Sequence, residues 1–220
     1  MCGIIGYYNK NVTKSDLDTL RKVLIESKIR GKHASGVAWF DGKKFQSYIK
    51  PTSIDKLVKK FDLSKSVYDG ASISLIAHAR YSTSDIKYNQ PILGETLAIA
   101  HNGVVTQDFP ENWYETYGFK CKTKNDSELI LHALENEREL SQIFPKSSIA
   151  VVSLDLTGKI EVYRNGLRPL WQGTIGEGVV IASTQDILYR AEVQNIKKVP
   201  AVDAAQDLQR RDMTQWTNQY

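Results

Sequence analysis

Met1-Cys2-Gly3-Ile4-Ile5-Gly6 is the stretch on which the reading of the whole chain turns. A small second residue such as cysteine permits removal of the initiator methionine. Cys2 then carries a thiol and a free α-amino group on one residue. A thiol is a poor nucleophile until it loses its proton, and a nearby amine can accept that proton. An unperturbed α-amino group titrates at about 7.7–8.0, which suits a base working near neutral pH. Ile4 and Ile5, flanked by glycines, read as a buried strand that holds this terminus rigidly inside the molecule. The competing reading makes Cys2 a small hydrophobe at the start of a strand. Residues further along the chain decide between the two.

A chain of 220 residues fits one large domain or two small ones, and it is long enough to bury a core without staples. Its hydrophobic share of 41% and charged share of 25% are ordinary for a globular protein. The net charge of +4 is modest and the basic residues are dispersed, so nucleic-acid binding is not expected. Two cysteines, Cys2 and Cys121, are too few for a disulfide framework and match no zinc spacing. No metal and no cofactor are therefore expected. A free Cys2 suits the reducing cytoplasm. The apolar runs fall well short of the roughly 18 residues of a membrane span, and the N-terminus lacks the pattern of a signal peptide. A catalytic Cys2 is also incompatible with a presequence cleaved at this position.

From the first strand, residues 4–8, the chain continues into a helix over 14–29. Thr13 or Ser15 caps it, and Leu17, Leu20, Val23 and Leu24 line one face at helical spacing. A glycine-punctuated loop over 30–36 leads to strands 36–40 and 45–49, either side of the Asp41-Gly42 hairpin signal. A short helix over 52–61 and a strand over 72–79 follow. His78-Ala79-Arg80-Tyr81-Ser82-Thr83 lies where that strand runs out, and a short strand over 97–100 ends in His101-Asn102-Gly103. Residues 110–118 read as aromatic and irregular. Asn125 or Asp126 caps a helix that reaches about residue 137. A hairpin pairs 149–154 with 159–163 through Thr157-Gly158. Strands over 170–175 and 178–182, a short helix over 184–191 and an edge strand over 196–199 before Pro200 complete the order. Residues 1–200 form the domain. Residues 201–220 read as a polar tail, either a surface helix or a disordered end. Many strands bracketed by few helices predict an α+β domain with sheets covered by helices.

Hydrolysis of an amide by a cysteine needs a nucleophile with its base, donors aimed at the developing oxyanion, and groups that grip the substrate. Cys2 and its own amine supply the first pair. Asn102 and Gly103 offer a side-chain N–H and an unshielded backbone N–H for the oxyanion, although Asn-Gly is also an ordinary turn signal. Arg80 has no acidic neighbour in sequence and presents a fork suited to a carboxylate; otherwise it is a surface arginine. Asp126 at a helix start suits a substrate ammonium, or else serves as a cap. Together Arg80 and Asp126 fit the two ends of a free amino acid. With the amine as base, none of His33, His78, His101 and His132 is required. His78 and His101 are expected to pack or hydrogen-bond rather than titrate. Cys121, among lysines, reads as incidental.

The Cys2-Gly3-Ile4-Ile5-Gly6 block resembles the amino-terminal signature of class II glutamine amidotransferases, which are N-terminal-nucleophile hydrolases. Further blocks agree in order. These are Arg30-Gly31 with Gly36, the stretch from His78 to Thr83, Asn89-Gln90-Pro91, Ala100 to Gly103, Asn125 to Glu128, Gly166 to Leu170, and Ala182 to Gln185. Their forms are most similar to the glutaminase domain of amidophosphoribosyltransferase. The resemblance spans about residues 2–190. It implies a four-layer αββα sandwich and an N-terminal-cysteine glutaminase. In that mechanism Cys2 attacks L-glutamine, and Asn102 with Gly103 stabilises the oxyanion. Arg80, with Thr83 nearby, holds the carboxylate and Asp126 the α-amino group, with Arg30 at a closing loop near the thiol. Two departures concern loops: His33 replaces the family's acidic residue, and Ser84-Asp85-Ile86 stands where a glycine often follows.

No phosphoribosyl, sugar-isomerase or adenylating domain is expected. A stand-alone subunit passing ammonia to a separate synthase is therefore anticipated. The acceptor is left open among a purine- or deazapurine-like base, a sugar and a carboxylate. Two other readings compete: a related amidase acting on non-glutamine amides, and a non-catalytic regulatory subunit of the same fold.

Overall fold

A computed structural model describes residues 1–61, 70–82 and 88–201, together with the backbone of residues 206–207. Alternation along single strands explains the layering. In β1 (Gly3–Asn9), Ile4 points into one apolar cluster while Ile5 and Tyr7 point into another. In β4 (Ile73–Arg80), Ile76 joins Ile4, and Ile73, Leu75, Ala77 and Ala79 join Ile5. A strand buried on both faces has to read as continuously apolar, and every residue of β4 is buried.

These strands belong to a seven-stranded antiparallel sheet. With β2 (Ala34–Phe40), β3 (Phe45–Lys50), β9 (Trp171–Ile175), β10 (Gly178–Ala182) and β11 (Gln194–Lys198), the order is β11-β9-β10-β1-β4-β2-β3. The second sheet has five strands. They are β5 (Ile92–Leu93), β6 (Leu97–Val104), β7 (Ser148–Asp155), β8 (Ile160–Arg164) and β12 (Gln206–Asp207), in the order β12-β8-β7-β6-β5. In β7, Ala150, Val152 and Leu154 face the first sheet, whereas Ile149 and Val151 face away from it.

Helices close both outer faces. Helices α1 (Lys14–Glu26), α2 (Ile54–Lys60) and α6 (Gln185–Arg190) cover the seven-stranded sheet, with Leu20, Leu24, Leu57 and Ile187 in that core. On the five-stranded sheet lie α3 (Trp113–Tyr117), α4 (Ser127–Glu135) and α5 (Leu140–Ile143), burying Trp113, Leu129, Ile130 and Leu140. Three cores between four layers make the αββα sandwich expected from the sequence.

Several boundaries differ from the sequence reading. Helix α1 ends at Glu26, and Ser27–Ile29 form a separate 3-10 turn. Thr13, not Ser15, caps α1. It forms a capping box in which Asp16 N–H donates to Thr13 Oγ1 at 3.2 Å and Thr13 N–H to Asp16 Oδ2 at 2.9 Å. Strand β6 does not stop before the Asn-Gly pair. It continues through it, with Asn102 opposite Ala150 and Gly103 opposite Ile149. Within the stretch read as a tail, the backbone at 206–207 pairs with β8. Thr83 and Ser84-Asp85-Ile86 lie outside the described residues, as does the rest of 202–220.

Candidate active site

The site forms where one end of β1 meets one end of β6, so each sheet contributes half of it. Gly3 pairs with Ala79, which places Cys2 beside the end of β4 at Arg80. Ile4 N–H donates to Ser183 Oγ at 2.7 Å and pins the strand start. From the other sheet comes Asn102, 2% exposed. The backbone N–H of Cys2 donates to Asn102 Oδ1 at 3.1 Å. With Met1 attached this nitrogen is a peptide amide; it occupies the position of the α-amino group that methionine removal would create. The Cys2 thiol lies 3.9 Å from the carbonyl oxygen of Tyr81.

Asn102 Nδ2 is buried and has no hydrogen-bond partner among the described residues. A buried donor left unpaired costs free energy, so its place near the Cys2 thiol is chemically suited to meeting an anion. Gly103 follows with φ +152, and a Cβ there would sit 2.6 Å from the Ser148 carbonyl oxygen. Only glycine keeps this backbone in the sheet. Taken alone, Asn102-Gly103 favours a turn, and only the family resemblance assigns it the oxyanion role; pairing with β7 rules out the turn.

Arg30 and Arg80 reach this region from adjoining segments. Gly31 packs so tightly on the end of β4 that a Cβ would fall 2.1 Å from the Arg80 carbonyl carbon. Arg30 Nε donates to the Cys2 carbonyl at 3.4 Å, and its Nη2 is buried without a partner among the described residues. Burial lowers its pKa from the usual guanidinium value, the Cys2 thiol opposes that shift, and Arg168 adds to it. Arg80 is 9% exposed, so it is not a surface arginine. Its Nη1 donates to the Tyr88 carbonyl at 2.5 Å and to Asn89 Oδ1 at 2.8 Å.

The Tyr88 carbonyl also accepts from Asn125 Nδ2 at 3.3 Å, which links Arg80 to the start of α4. Asn125 Oδ1 receives the Ser127 N–H at 3.1 Å and so satisfies an orphan donor of the helix. Asp126 Oδ2 accepts the Val105 N–H at 2.8 Å, two residues beyond Gly103. Burial raises the Asp126 pKa above the ordinary carboxylate value, while backbone N–H groups of Val105, Ser127 and Thr106 oppose the shift. Arg80 and Asp126 are thus tied to the same framework as Asn102 and Gly103.

Gln90, Ser127 and Arg168 are structural partners that the sequence reading quoted within blocks but gave no role. Gln90 Oε1 accepts the His101 N–H at 2.6 Å, and its Nε2 donates to Ser127 Oγ at 2.9 Å. One buried amide therefore locks the 88–90 segment to both β6 and α4. Arg168 Nε donates to the Ser148 carbonyl at 3.0 Å, the same oxygen that crowds Gly103. A cleft of about 560 Å³ opens beside them, lined by Val104, Val105, Thr106, Ser148 and Arg168 among others.

Burial drives His78 to about 3, with nearby His101 and Arg80 adding to the shift, and burial likewise drives His101 to about 3, with Arg168 contributing. Neither accepts a proton near neutral pH. His33 Nδ1 accepts the Ser82 N–H at 2.8 Å and its ring lies 5.0 Å from that of Tyr81. His33 thereby supplies an acceptor for the backbone that follows Arg80. Burial and Glu128 push the Cys121 thiol up to about 12, so with no cation beside it the thiol stays protonated and makes a poor nucleophile.

No protein-family model matches the chain. Over 204 residues it is 29% identical to the glutamine–fructose-6-phosphate aminotransferase of Francisella tularensis, a match covering 81% of this chain and 30% of that protein. Over 204 residues it is 28% identical to the amidophosphoribosyltransferase of Bacillus subtilis, covering 83% of this chain and 40% of the relative. The chain thus matches well under half the length of these curated relatives. The solved glutamine phosphoribosylpyrophosphate amidotransferase of B. subtilis superimposes with a TM-score of 0.68 at 22% identity, covering 94% of this chain and 48% of that one, which establishes the shared fold. The chain is homologous to the glutamine amidotransferase domains of these enzymes. Among the described residues, no helix is long and apolar enough to cross a membrane.

Proposed function

We propose that this homologue of glutamine amidotransferase domains hydrolyses L-glutamine to glutamate and ammonia through a thioester on Cys2. The observation that carries the reading is the Cys2–Asn102 contact. One amide group holds the prospective α-amine through Oδ1 and keeps Nδ2 unpaired for an oxyanion.

After Met1 is removed, the α-amine takes the thiol proton and the thiolate attacks the side-chain amide carbon of glutamine. The carbonyl π electrons move to oxygen, where Asn102 Nδ2 and the Gly103 N–H stabilise the charge. The protonated amine passes its proton to the leaving nitrogen, and ammonia departs. Water, deprotonated by the same amine, attacks the γ-glutamyl thioester and returns the thiol. Arg80, aided by Thr83, holds the glutamine carboxylate and Asp126 its ammonium. Arg30 holds the Cys2 carbonyl and directs positive charge towards the thiol.

The released ammonia goes to a separate synthase that binds the acceptor. A purine- or deazapurine-like acceptor is one candidate class, and the cytoplasm is the compartment that suits a free Cys2. Capture of an acceptor-binding partner that raises the glutaminase rate supports this part. A full uncoupled rate with no partner captured counts against it.

Intact mass and labelling test the core of the reading. The expected protein lacks Met1, releases ammonia from glutamine in preference to simple acyl amides, and is modified by 6-diazo-5-oxonorleucine at Cys2 alone. Retention of Met1, or modification of Cys121 instead, overturns it.

A further inference from the structure

Away from Cys2, three different metal-ligating groups converge on one short stretch. Cys121, Glu128 and His132 offer a sulfur, a carboxylate oxygen and a ring nitrogen, all within 4.8 Å of one another. We propose that these three side chains bind a divalent transition-metal ion of the zinc class, with water as the fourth ligand.

Glu128 and His132 stand four residues apart on α4 and therefore share a face. His132 Nε2 lies 3.6 Å from Glu128 Oε1. That is too long for a hydrogen bond, but it is close to the edge of a zinc tetrahedron, about 3.4 Å for nitrogen and oxygen ligands each about 2.0–2.2 Å from the ion. A thiolate at about 2.3 Å requires edges of about 3.5 Å, so Cys121 Sγ, within 4.8 Å of the other two ligand atoms, would draw closer to them on binding.

The valences also fit. Glu128 is 4% exposed. Its Oε1 accepts the Lys122 N–H, and its Oε2 accepts both the N–H and the hydroxyl of Thr123. A carboxylate offers about four lone-pair sites, so one remains, on the oxygen nearest His132. His132 Nε2 is buried and has no hydrogen-bond partner among the described residues. The Phe119 ring stacks on the imidazole at 5.9 Å and 28°, which fixes its plane. A free lone pair and a ring nitrogen without a hydrogen bond, 3.6 Å apart, are groups that an ion between them would satisfy.

Mixed sulfur, nitrogen and oxygen ligands favour zinc-class ions over magnesium or calcium. On binding, Cys121 releases its thiol proton to solvent and its sulfur donates an electron pair to the ion. The thiolate and carboxylate together balance the ion's charge. The ion would clamp the 121–123 loop to the helix that begins just after Asp126. The site needs nothing from Cys2 and stands whether or not the chain is a glutaminase.

Titration of the reduced, chelator-treated full chain with Co²⁺ tests the proposal. One ion per chain is expected, with a sulfur-to-cobalt charge-transfer band in the near ultraviolet that Zn²⁺ abolishes by displacement. Cys2→Ser should keep the band and Cys121→Ser should lose it. His132→Ala should weaken binding by more than about tenfold, since even residues that only support a ligand matter to that degree. Absence of the band from the wild-type chain overturns the proposal. So does a band that survives Cys121→Ser and vanishes in Cys2→Ser. These two outcomes do not depend on the His132 variant folding.

Discussion

The backbone nitrogen of Cys2 and Oδ1 of Asn102 lie 3.1 Å apart, joining positions 100 residues distant in sequence across the two sheets. The other end of the same side chain, Nδ2, has no partner among the described residues. In the proposed mechanism Asn102 would therefore carry two duties on one amide: an acceptor that orients the prospective base and a donor for the developing negative charge.

Replacing Asn102 should therefore harm the chemical step more than binding. Asn102→Ala is expected to lower kcat by about 10²–10³, the usual cost of losing one oxyanion donor, with KM for glutamine little changed. Asn102→Asp keeps an acceptor for the Cys2 nitrogen but presents a carboxylate to the oxyanion, so it should not rescue the rate. Steady-state ammonia release decides. A near-normal kcat in Asn102→Asp would remove the donor from the mechanism.

Gly103→Ala attacks the second donor through the backbone. The added methyl would lie 2.6 Å from the Ser148 carbonyl oxygen at a φ of +152 that side chains avoid. A loss of about 1–3 kcal/mol is expected in urea denaturation, the range for a strained backbone position. The activity of the remaining folded protein should fall as well, because relief of the clash turns the N–H away from Asn102. Unchanged stability and activity would mean that the strand end relaxes freely.

The contrast between Ile4 and Gly103 explains what could be read beforehand. Near-continuous apolar runs such as those of β4 and β7 point to strands buried on both faces, whereas the four-layer sandwich itself is implied by the family resemblance. Asn102-Gly103 is a turn signal in local chemistry. It stays extended because eight register pairs hold β6 to β7, and such distant pairing is invisible in a dipeptide. Strand β5 and helix α5, at two and four residues, are too short to show a period. His33 and Gln90 act through approaches that folding creates, the first on Ser82 N–H and the second between His101 and Ser127. Arg80 was ambiguous for a different reason, since its partners, the Tyr88 carbonyl and Asn89 Oδ1, are brought to it only by the fold.

Acid should unfold the domain through two histidines. His78 and His101 sit at about 3 in the folded state against 6.5 when unperturbed, chiefly because burial disfavours the charged ring. Between those values the unfolded chain holds protons that the folded chain excludes, so stability rises with pH across the window and is lost as pH falls below about 6.5. Each histidine contributes a slope of up to about 1.4 kcal/mol per pH unit. Urea denaturation from pH 7 to pH 4 should show this, with a shallower slope in His101→Gln. Equal slopes in the two proteins would mean that His101 is already accessible to protons in the folded state.

Asp126 should show opposite pH signs in folding and in substrate binding. Burial raises its folded-state pKa above the unfolded carboxylate value of about 3.9. Above 3.9 the unfolded chain has lost the proton while the folded chain still keeps it. This contribution to stability is therefore complete below the unfolded value and declines as pH rises through the folded one. Binding runs the other way, because the glutamine ammonium needs the ionised form. KM of the wild-type protein should rise as pH falls through the raised Asp126 value, a region where an ordinary carboxylate would still be charged. Asp126→Asn removes the ionic partner and should raise KM by about 10- to 100-fold, the equivalent of a hydrogen bond to a charged group worth about 1.5–3 kcal/mol. Its KM should stay flat over that acid window while kcat changes less. Parallel KM–pH curves for the two proteins would show that another group receives the ammonium and that Asp126 serves only to hold the Val105 backbone.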